Sequence, residues 1–301
     1  MNFPSTVRRM ERAGLWICAA ALSACAVQPP PSSDDGPGSV RLSPDVHVQL
    51  AATPLRRGDA PPARRFDLAR WKLTIPSGED IQVAELNRGY SLPGAFYIDP
   101  ETGGMVFRVP NRAGTTENST YSRTELREMR LPTESAKADA NNWTMEQGGT
   151  LKARLRVDAV STTGDPDKVG RIVIGQIHGP DSEVIRLYYR KKPDEPKGRI
   201  YAGLDSVDND NSYSPDIVGN ANGAGIALGE VFAYQIRLRG EQLSVIVEPE
   251  SGPASLYTVS IDPGYAGLNL YFKAGVYNQN NTGDADDYAQ ATFFALETSH
   301  P

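Results

Sequence analysis

Short runs of alternating apolar and polar residues recur along this chain, separated by turns rich in Gly, Asn, Asp and Pro. Alternation with a period of two puts successive side chains on opposite faces of a β-strand, as in LKARLRVD at 151–158. Short helices fit only 81–86 and 132–140. The predicted strands are 95–98, 105–109, 121–130, 150–159, 171–178, 183–190, 199–204, 231–239, 242–248, 268–277 and 290–297. Many short strands between turns indicate an all-β fold, a sandwich or jelly roll.

The strand predicted at 171–178 is unusual because it ends in an amide and an imidazole. Read at a strict period of two, Ile172, Ile174, Gln176 and His178 share one face. The other two histidines of the chain lie in a Pro-rich segment and at the penultimate position, so His178 is the first candidate for proton transfer near neutral pH. A buried histidine that is hydrogen-bonded by its neighbours is the alternative.

Two further strands, at 121–130 and 268–277, combine an apolar face with a polar face. On the first strand, the residues expected on the polar face are Arg123, Glu125 and Arg127. On the second strand and directly after its end, they are Tyr271, Lys273, Gly275, Tyr277 and Gln279. Each face taken alone could be the solvated outer face of a sandwich. Together with Gln176 and His178 they form one consistent set of cationic, amide, imidazole and phenol groups.

These residues argue against several kinds of catalytic mechanism and favour one. The chain has no Gly-x-Ser-x-Gly motif, and its body has no second histidine for a metal site. A glycoside hydrolase needs two facing carboxylates, whereas Glu125 and Glu128 are expected on opposite faces of their strand. Fixed cations and amides instead suit binding of an acidic sugar and removal of the proton beside its carboxylate. A Tyr or His would take that proton, and a Tyr could donate one to the leaving oxygen.

The N-terminus has the pattern of an export signal. Three arginines precede a short apolar run that ends in LSAC, so residues 1–25 are predicted to be a lipoprotein-type signal with Cys25 as the acylated residue. An ordinary signal peptide, cleaved near Ala24 or Ala26, is the alternative. Residues 26–65 hold eight prolines and are predicted to be a linker, and 66–301 the globular domain. We therefore expect an exported protein, anchored to the outer membrane and facing the periplasm or the cell surface, or otherwise secreted.

Charge and cysteine content narrow the class further. Both cysteines fall in the signal, so the domain is expected to lack an internal disulfide. The formal net charge is −6, which makes the chain a poor nucleic-acid binder, and any polyanion would need locally concentrated positive charge. The acidic stretch at 205–216 could be a calcium loop or, as we favour, a solvated loop, because it lacks the EF-hand pattern.

Three motifs give the chain a resemblance to a known family. RTELR at 123–127, QIH at 176–178 and YFKAGVYNQ at 271–279 resemble the signature motifs of polysaccharide lyase family 7, the alginate lyases, and they occur in the family's order. The resemblance covers roughly 66–300. It implies a β-jelly roll of two curved antiparallel sheets with a concave groove for alginate, and no metal or cofactor. We expect a monomer.

The resemblance also implies roles for individual residues. Arg123 and Gln176 would neutralise the uronate carboxylate, with His178 sharing that role or acting as the base toward guluronate. Tyr277 would be the general acid and, for mannuronate, also the base. The expected substrate-binding and positioning residues are Glu125, Arg127, Tyr271, Lys273 and Gln279. Ile177 favours guluronate-containing blocks. A non-catalytic jelly roll that binds acidic polysaccharides, and a lyase for glucuronan or pectate, are the alternatives.

Overall fold

The computed structural model describes residues 40–42, 46–50, 60–131 and 139–301. In this part of the chain sixteen strands accompany one α-helix, α1 (Val83–Gly89), and four short 3₁₀ turns, Pro62–Arg64, Asp139–Asn141, Ala221–Gly223 and Pro263–Tyr265. The first eight strands are β1 (Val40–Leu42), β2 (Trp71–Thr74), β3 (Asp80–Ile81), β4 (Phe96–Ile98), β5 (Met105–Pro110), β6 (Arg123–Glu128), β7 (Gly149–Ala159) and β8 (Arg171–His178). The others are β9 (Glu183–Arg190), β10 (Arg199–Asp205), β11 (Asn211–Tyr213), β12 (Val231–Arg239), β13 (Gln242–Pro249), β14 (Ser255–Ser260), β15 (Tyr271–Asn278) and β16 (Tyr288–Ser299).

The strands form two eight-stranded sheets in which every pair is antiparallel. One, the outer sheet, has the order β1-β14-β13-β12-β7-β16-β5-β4. The other, the groove sheet, has the order β11-β10-β9-β8-β15-β6-β2-β3. A single large apolar cluster fills the space between them, with contributions from both sheets. The predicted all-β jelly roll of two curved antiparallel sheets, with a concave groove, is confirmed.

The alternating pattern explains how each sheet buries one face. In β7 the apolar residues Leu151, Leu155 and Val157 are fully buried, whereas Lys152 and the arginines between them stay partly exposed. Full burial of one such side chain stabilises the fold by about 1.5–3 kcal/mol. The same rule holds on β6 and β15, where the polar faces predicted from the sequence point away from the core and lie side by side.

The strict period-two reading of β8 is wrong, and a β-bulge is the reason. Ile172 and Ile174 lie in the core, but the pairing with β9 shifts between Val173 and Gly175. The extra residue reverses the alternation. From Gln176 onward, each side chain lies on the face opposite to the one that a strict period of two assigns to it. Gly175 also points inward, where an added Cβ would lie 2.6 Å from the Tyr234 hydroxyl oxygen. The bulge therefore lets one strand bury its isoleucines and still turn Gln176 and His178 to the groove side of the sheet.

Some elements differ from the prediction. The helix predicted at 81–86 is observed as α1, shifted toward the C-terminus, and most of the second predicted helix falls at 132–138, outside the described residues. The strands β1, β2, β3, β11 and β14 are absent from the predicted strands. Four of these five have only two to four residues, and a short strand gives little periodic signal. The acidic stretch at 205–216 contains the turn between β10 and β11.

The predicted signal, including Cys25, lies outside the described residues, as does most of the predicted linker. Two pieces of that linker contact the outer sheet: β1 pairs with β14, and the segment 46–50, which is not a strand, packs beside β13. There the backbone N–H of Val48 and the His47 ring each bond to the Glu248 carboxylate, both at 2.7 Å. Within the described residues, no helix is long and apolar enough to cross a membrane.

Candidate active site

A groove of about 550 Å³ crosses the face of the groove sheet that points away from the core. It is framed by β2, β6, β15 and the end of β8, together with the loop that precedes β6. The residues that line it are Lys72, Thr74, Asp80, Thr116, Asn118, Arg123, Arg127, Asn142, His178, Gly179, Pro180, Asp181, Glu183, Asn269, Tyr271, Lys273 and Tyr277. The sheet thus gathers residues from all three sequence motifs into one place.

Arg123 and Tyr277 form a fixed unit at one end of this groove. They face each other on neighbouring strands, and the guanidinium carbon lies 3.8 Å from the centre of the phenol ring. Ser119 joins them: its Oγ lies 3.0 Å from the Tyr277 hydroxyl and accepts from Arg123 Nη2, also at 3.0 Å. Because the single Ser119 hydroxyl hydrogen is donated to the Tyr121 carbonyl, the Tyr277 O–H is the donor in its bond to Ser119.

Glu125 lies beneath the groove and connects three of the predicted residues. Its Oε2 lies 2.8 Å from Lys273 Nζ and 3.1 Å from Arg123 Nη1, and its Oε1 accepts from Gln176 Nε2. The carboxylate is almost completely buried. Burial alone would raise its pKa, but the charges of Lys273 and Arg123 outweigh this and hold the pKa of Glu125 below its ordinary value.

Lys273 is a buried cation whose pKa is lowered. Burial, together with the positive charge of Arg123, lowers its pKa from the ordinary 10.5 to about 8, against the opposing attraction of Glu125. The net positive charge of the groove therefore decreases as the pH rises through about 8. We therefore expect an anionic ligand to bind more tightly below that pH than above it.

His178, Tyr271 and Arg127 form a column of stacked side chains at the other end. The His178 and Tyr271 rings are 5.0 Å apart and nearly parallel, and the Arg127 guanidinium carbon lies 3.8 Å over Tyr271. His178 Nδ1 lies 2.6 Å from the Gly179 carbonyl oxygen, which can only accept, so Nδ1 carries the proton and Nε2 holds the lone pair.

Both rings of this column are held in their neutral forms. Burial, aided by the charge of Lys273, lowers the pKa of His178 to about 4, even though Glu183 Oε1 lies 3.5 Å from Nε2 and opposes the shift. Burial also raises the pKa of Tyr271 to about 12. A neutral imidazole with a bare Nε2 lone pair is a proton acceptor.

The nine predicted substrate-contacting residues occupy three kinds of position. Arg123, Arg127, His178, Tyr271, Lys273 and Tyr277 line the groove. Glu125 and Gln176 lie directly beneath it, and Gln176 is fully buried with its amide engaged by Glu125. Gln279 lies outside the groove lining formed by the described residues: it is buried just after β15, where its backbone N–H donates to the Arg171 carbonyl at 3.0 Å.

Several groove residues were not predicted. Lys72, Thr74 and Asp80 come from β2 and β3, where the Lys-Leu-Thr alternation was a usable signal, and Asp80 bonds to both Lys72 and Thr74. In the loop that contains Thr116 and Asn118, the only recognisable sequence pattern is the glycosylation sequon Asn118-Ser-Thr, which does not indicate a groove. Asn142 and Asn269 are brought in by long connections that carry no local signal.

The acidic stretch after β10 does not contribute to this groove. Its first residue, Asp205, is buried and pairs with Arg186 at 2.6 Å, so this charge supports the sheet. No cluster of three or more His, Cys, Asp or Glu side chains that could hold a metal ion occurs in the described ranges.

Comparison with known proteins gives a consistent result. The family described as alginate lyase matches residues 66–300. An alginate lyase from Klebsiella pneumoniae is 38% identical over 294 residues, covering 83% of this chain and 95% of the relative.

Solved structures agree with this match. The crystal structure of an alginate lyase from Klebsiella pneumoniae superposes with a TM-score of 0.76 at 37% identity and covers 80% of this chain and 99% of its own. The family 7 alginate lyase A1-II′, in complex with a product written GGG, is similar at a TM-score of 0.64 and 28% identity, covering 80% of this chain and 100% of its own. A Pseudomonas aeruginosa alginate lyase has the same TM-score at 32% identity, covering 78% and 100%.

Proposed function

This chain belongs to the alginate lyase family and is a polysaccharide lyase, and from that premise we propose that Arg123, His178 and Tyr277 carry out the elimination in the groove. In this reaction a base removes the C5 proton beside the uronate carboxylate, and the electron pair forms the C4=C5 double bond. The bond from C4 to the glycosidic oxygen breaks, and that oxygen takes up a proton. Each cut leaves a 4,5-unsaturated uronate end.

Stabilising the charge that develops on the carboxylate is the first requirement. Arg123 is fixed by Glu125 on one side and by Ser119 on the other, so its guanidinium needs no reorganisation when charge develops. Lys273 and Arg127 add positive charge along the same face. Gln176 is bonded to Glu125, and we therefore assign it the role of holding Glu125, and through it Arg123 and Lys273, in place.

The proton transfers are assigned to Tyr277 and His178. The Tyr277 hydroxyl points at Ser119 beside Arg123, so a carboxylate bound to Arg123 brings the reacting carbon close to that hydroxyl. Tyr277 then donates to the leaving oxygen, and for mannuronate it is also the base. For guluronate, whose C5 proton lies on the other side of the ring, the bare Nε2 of His178 is the base.

We further propose that guluronate-containing blocks are accepted. Ile177 between Gln176 and His178 supports this, and so do the complexes of A1-II′, whose ligands are written GGG and GGMG. The single observation that carries the mechanism is the shared hydroxyl of Ser119, which locks the proton donor Tyr277 against the carboxylate-binding Arg123.

The test is ultraviolet absorbance of the unsaturated uronate, measured with poly-mannuronate, poly-guluronate, native alginate and pectate. We expect product from the alginate substrates and a loss of roughly 10²–10⁴-fold in kcat for Tyr277→Phe. Tyr97→Phe, which removes a phenol hydroxyl from the outer sheet, is the matched control. A fully active Tyr277→Phe enzyme would refute the assignment. Preference for poly-mannuronate would refute the proposed block specificity, and cleavage of pectate in place of alginate would favour the alternative substrate.

We also propose that the protein is exported and anchored to the outer membrane through an acylated Cys25. The basic and apolar N-terminal pattern and the LSAC sequence support this. The pieces of the linker that contact the protein do so on the outer sheet, so an anchor attached there would leave the groove accessible to polymer. Membrane fractionation of wild type and Cys25→Ser, with labelled fatty acid, tests the anchor: a labelled Cys25→Ser protein in the membrane fraction would contradict it.

A monomeric state is proposed as well. Among the described residues the exposed large apolar side chains are only Leu131, Tyr213 and Leu228, which do not amount to a broad apolar interface. Light scattering after size exclusion should give the mass of one chain, and a stable dimer at micromolar concentration would contradict the proposal.

A further inference from the structure

Three arginines lie side by side on the groove sheet, one, two and three strands from β15. Arg171 on β8 is directly opposite Arg190 on β9, and Arg190 is directly opposite Arg199 on β10. We call this set the arginine row. Tyr188 and Tyr201, which lie two residues from the row on β9 and β10, belong to a cluster with Tyr277, so the row is on the same face as the catalytic groove.

The positive charges of the arginine row are only partly compensated. Arg199 lies 3.6 Å from the Asp216 carboxylate, and Arg190 donates to the backbone carbonyls of Pro166 and Asp167. In the described part of the chain, no carboxylate lies within ion-pairing distance of Arg171 or Arg190. Like charges directly opposite each other on neighbouring strands destabilise a sheet. A bound anion would remove this cost.

A cavity of about 280 Å³ opens over the row. Its walls combine guanidinium groups with phenol rings; it is lined by Arg171, Arg190, Arg199, Tyr201, Tyr213, Ser214 and Asp216. Tyr213 is 57% exposed, which is unusual for a large aromatic side chain, and its ring lies edge-on to Tyr201 at 5.9 Å. Exposed aromatic rings offer a flat apolar surface, and guanidinium groups bind carboxylates in bidentate geometry. This pair of features matches a uronate, which has a ring and a carboxylate.

A floor of three tyrosines and one valine joins this cavity to the catalytic cluster. Tyr277 is directly opposite Val173, Val173 is opposite Tyr188, and Tyr188 stacks on Tyr201 with ring centres 4.9 Å apart. The strand that carries Tyr201 is three strands away from the one that carries Tyr277, which is about 14 Å at the usual strand spacing. A polymer that crosses the strands from Arg123 would therefore pass over the floor and reach the row.

We propose that the arginine row and Tyr213 form a distal binding site for a uronate of the same polysaccharide chain, several sugars away from the bond that is cut. This inference rests on the proposed function, because it assumes that the chain is cleaved at Tyr277. It predicts that long substrates are held more tightly than short ones. It also predicts that much of this advantage depends on ionic strength.

The experiment compares native alginate with an alginate trisaccharide. When its cut bond lies at Tyr277, the trisaccharide can reach Arg171 on the neighbouring strand but not Arg199 or Tyr213, which lie three and four strands from β15. Wild type, Arg171→Gln/Arg199→Gln and the control Arg237→Gln are assayed at low and at high salt. Arg237 is a partly exposed arginine on the outer sheet, so its replacement removes a charge without changing the groove. Arg190 is left intact because its backbone bonds hold a loop. Thermal unfolding of all three proteins confirms that they are folded.

We expect the ratio of kcat/KM for polymer to kcat/KM for trisaccharide to fall roughly tenfold in the double variant at low salt, since each lost charge-assisted bond weakens binding several-fold. The fall should be mostly in KM, smaller at high salt, and absent in Arg237→Gln. An unchanged ratio in the double variant, or an equal fall in Arg237→Gln, would overturn the distal site. Wild type without any product would instead refute the proposed function, so the two failures are distinguishable.

Discussion

Replacing Glu125 by Gln should disturb both the stability and the pH dependence of the enzyme. The carboxylate is 1% exposed and bonds to Arg123, Lys273 and Gln176 at once. The amide keeps the shape of the side chain and removes its charge. Arg123 and Lys273 are then left close together beneath the groove without the anion that compensates them.

The cost in stability follows from the two short ion pairs. At 2.8 Å from Lys273 Nζ, a unit charge contributes ~6 kcal/mol of attraction at an effective dielectric constant of about 20. The cost of burying the ions offsets part of this, and removing one partner of a buried pair typically destabilises a protein by about 3–5 kcal/mol. We expect a loss of that size in the free energy of unfolding at neutral pH.

The pH dependence of this loss has a definite sign. The folded-state pKa of Glu125 is lower than its ordinary 4.5, so the charge stabilises the fold fully above about 4.5 and loses its effect as the pH falls through the folded-state pKa. The difference between wild type and Glu125→Gln should therefore shrink on acidification. The effect on activity is expected at alkaline pH instead. Glu125 raises the pKa of Lys273, so its removal should bring that pKa below the present value of about 8.

Urea unfolding at several pH values and kcat/KM on alginate as a function of pH are the two assays. We expect kcat/KM at pH 7 to fall ~10²-fold, as is usual when a reacting group is misplaced. The basic limb of the profile, which is the loss of activity at alkaline pH, should move to lower pH. Glu128→Gln is the matched control, since Glu128 is a buried carboxylate on the same strand that faces Trp143 and His300 instead. It should cost stability without moving the basic limb. A basic limb at the same pH in wild type and Glu125→Gln would refute the reasoning.

Three further changes test other parts of the structure. In Lys273→Arg the basic limb should move to higher pH, because a guanidinium keeps its charge where the amine, with a pKa of about 8, loses it; an unmoved limb would exclude Lys273 as its origin. Gly275→Ala should lower the unfolding free energy by at least ~1–3 kcal/mol, since the residue has φ +143° and an added Cβ would lie 2.6 Å from the Thr124 carbonyl oxygen. Wild-type urea stability would contradict this strain. His300→Ala should cost about 1–3 kcal/mol, because it removes a hydrogen-bond partner of the buried Glu128 side chain, and an unchanged melting temperature would contradict it.

The regular parts of the site could be predicted from the sequence. Arg123, Glu125 and Arg127 alternate with inward-facing residues on β6, and Lys273 and Tyr277 do so on β15. A period of two therefore assigns each side chain to a face. The three motifs then identify these faces as one site, and the structure brings them together. Local alternation is sufficient here because both strands pair with each other in regular register.

The irregular parts could not be predicted because they depend on distant pairing. The bulge at Ile174 reverses the faces of β8, and it exists only in relation to β9. Ser119 comes from a loop, and nothing in its neighbourhood in the sequence shows that it lies between Arg123 and Tyr277. The arginine row could not be predicted either, because Arg171, Arg190 and Arg199 become neighbours only when three strands pair in register.

Neighbouring cationic side chains on the groove sheet form two groups, which differ in how carboxylates pair with them. This difference fits two separate roles. On β2, β6 and β15 the cations are in register with one another, and the carboxylates of Glu125 and Asp80 pair with Lys273 and Lys72. These cations are held in fixed positions, as a reacting centre requires. On β8, β9 and β10 the arginine row is compensated at the edge alone, by Asp216. The arginine row, in which only Arg199 has a carboxylate partner among the described residues, is thus suited to the distal site proposed above. There attraction can hold the polymer without disturbing the geometry of Tyr277.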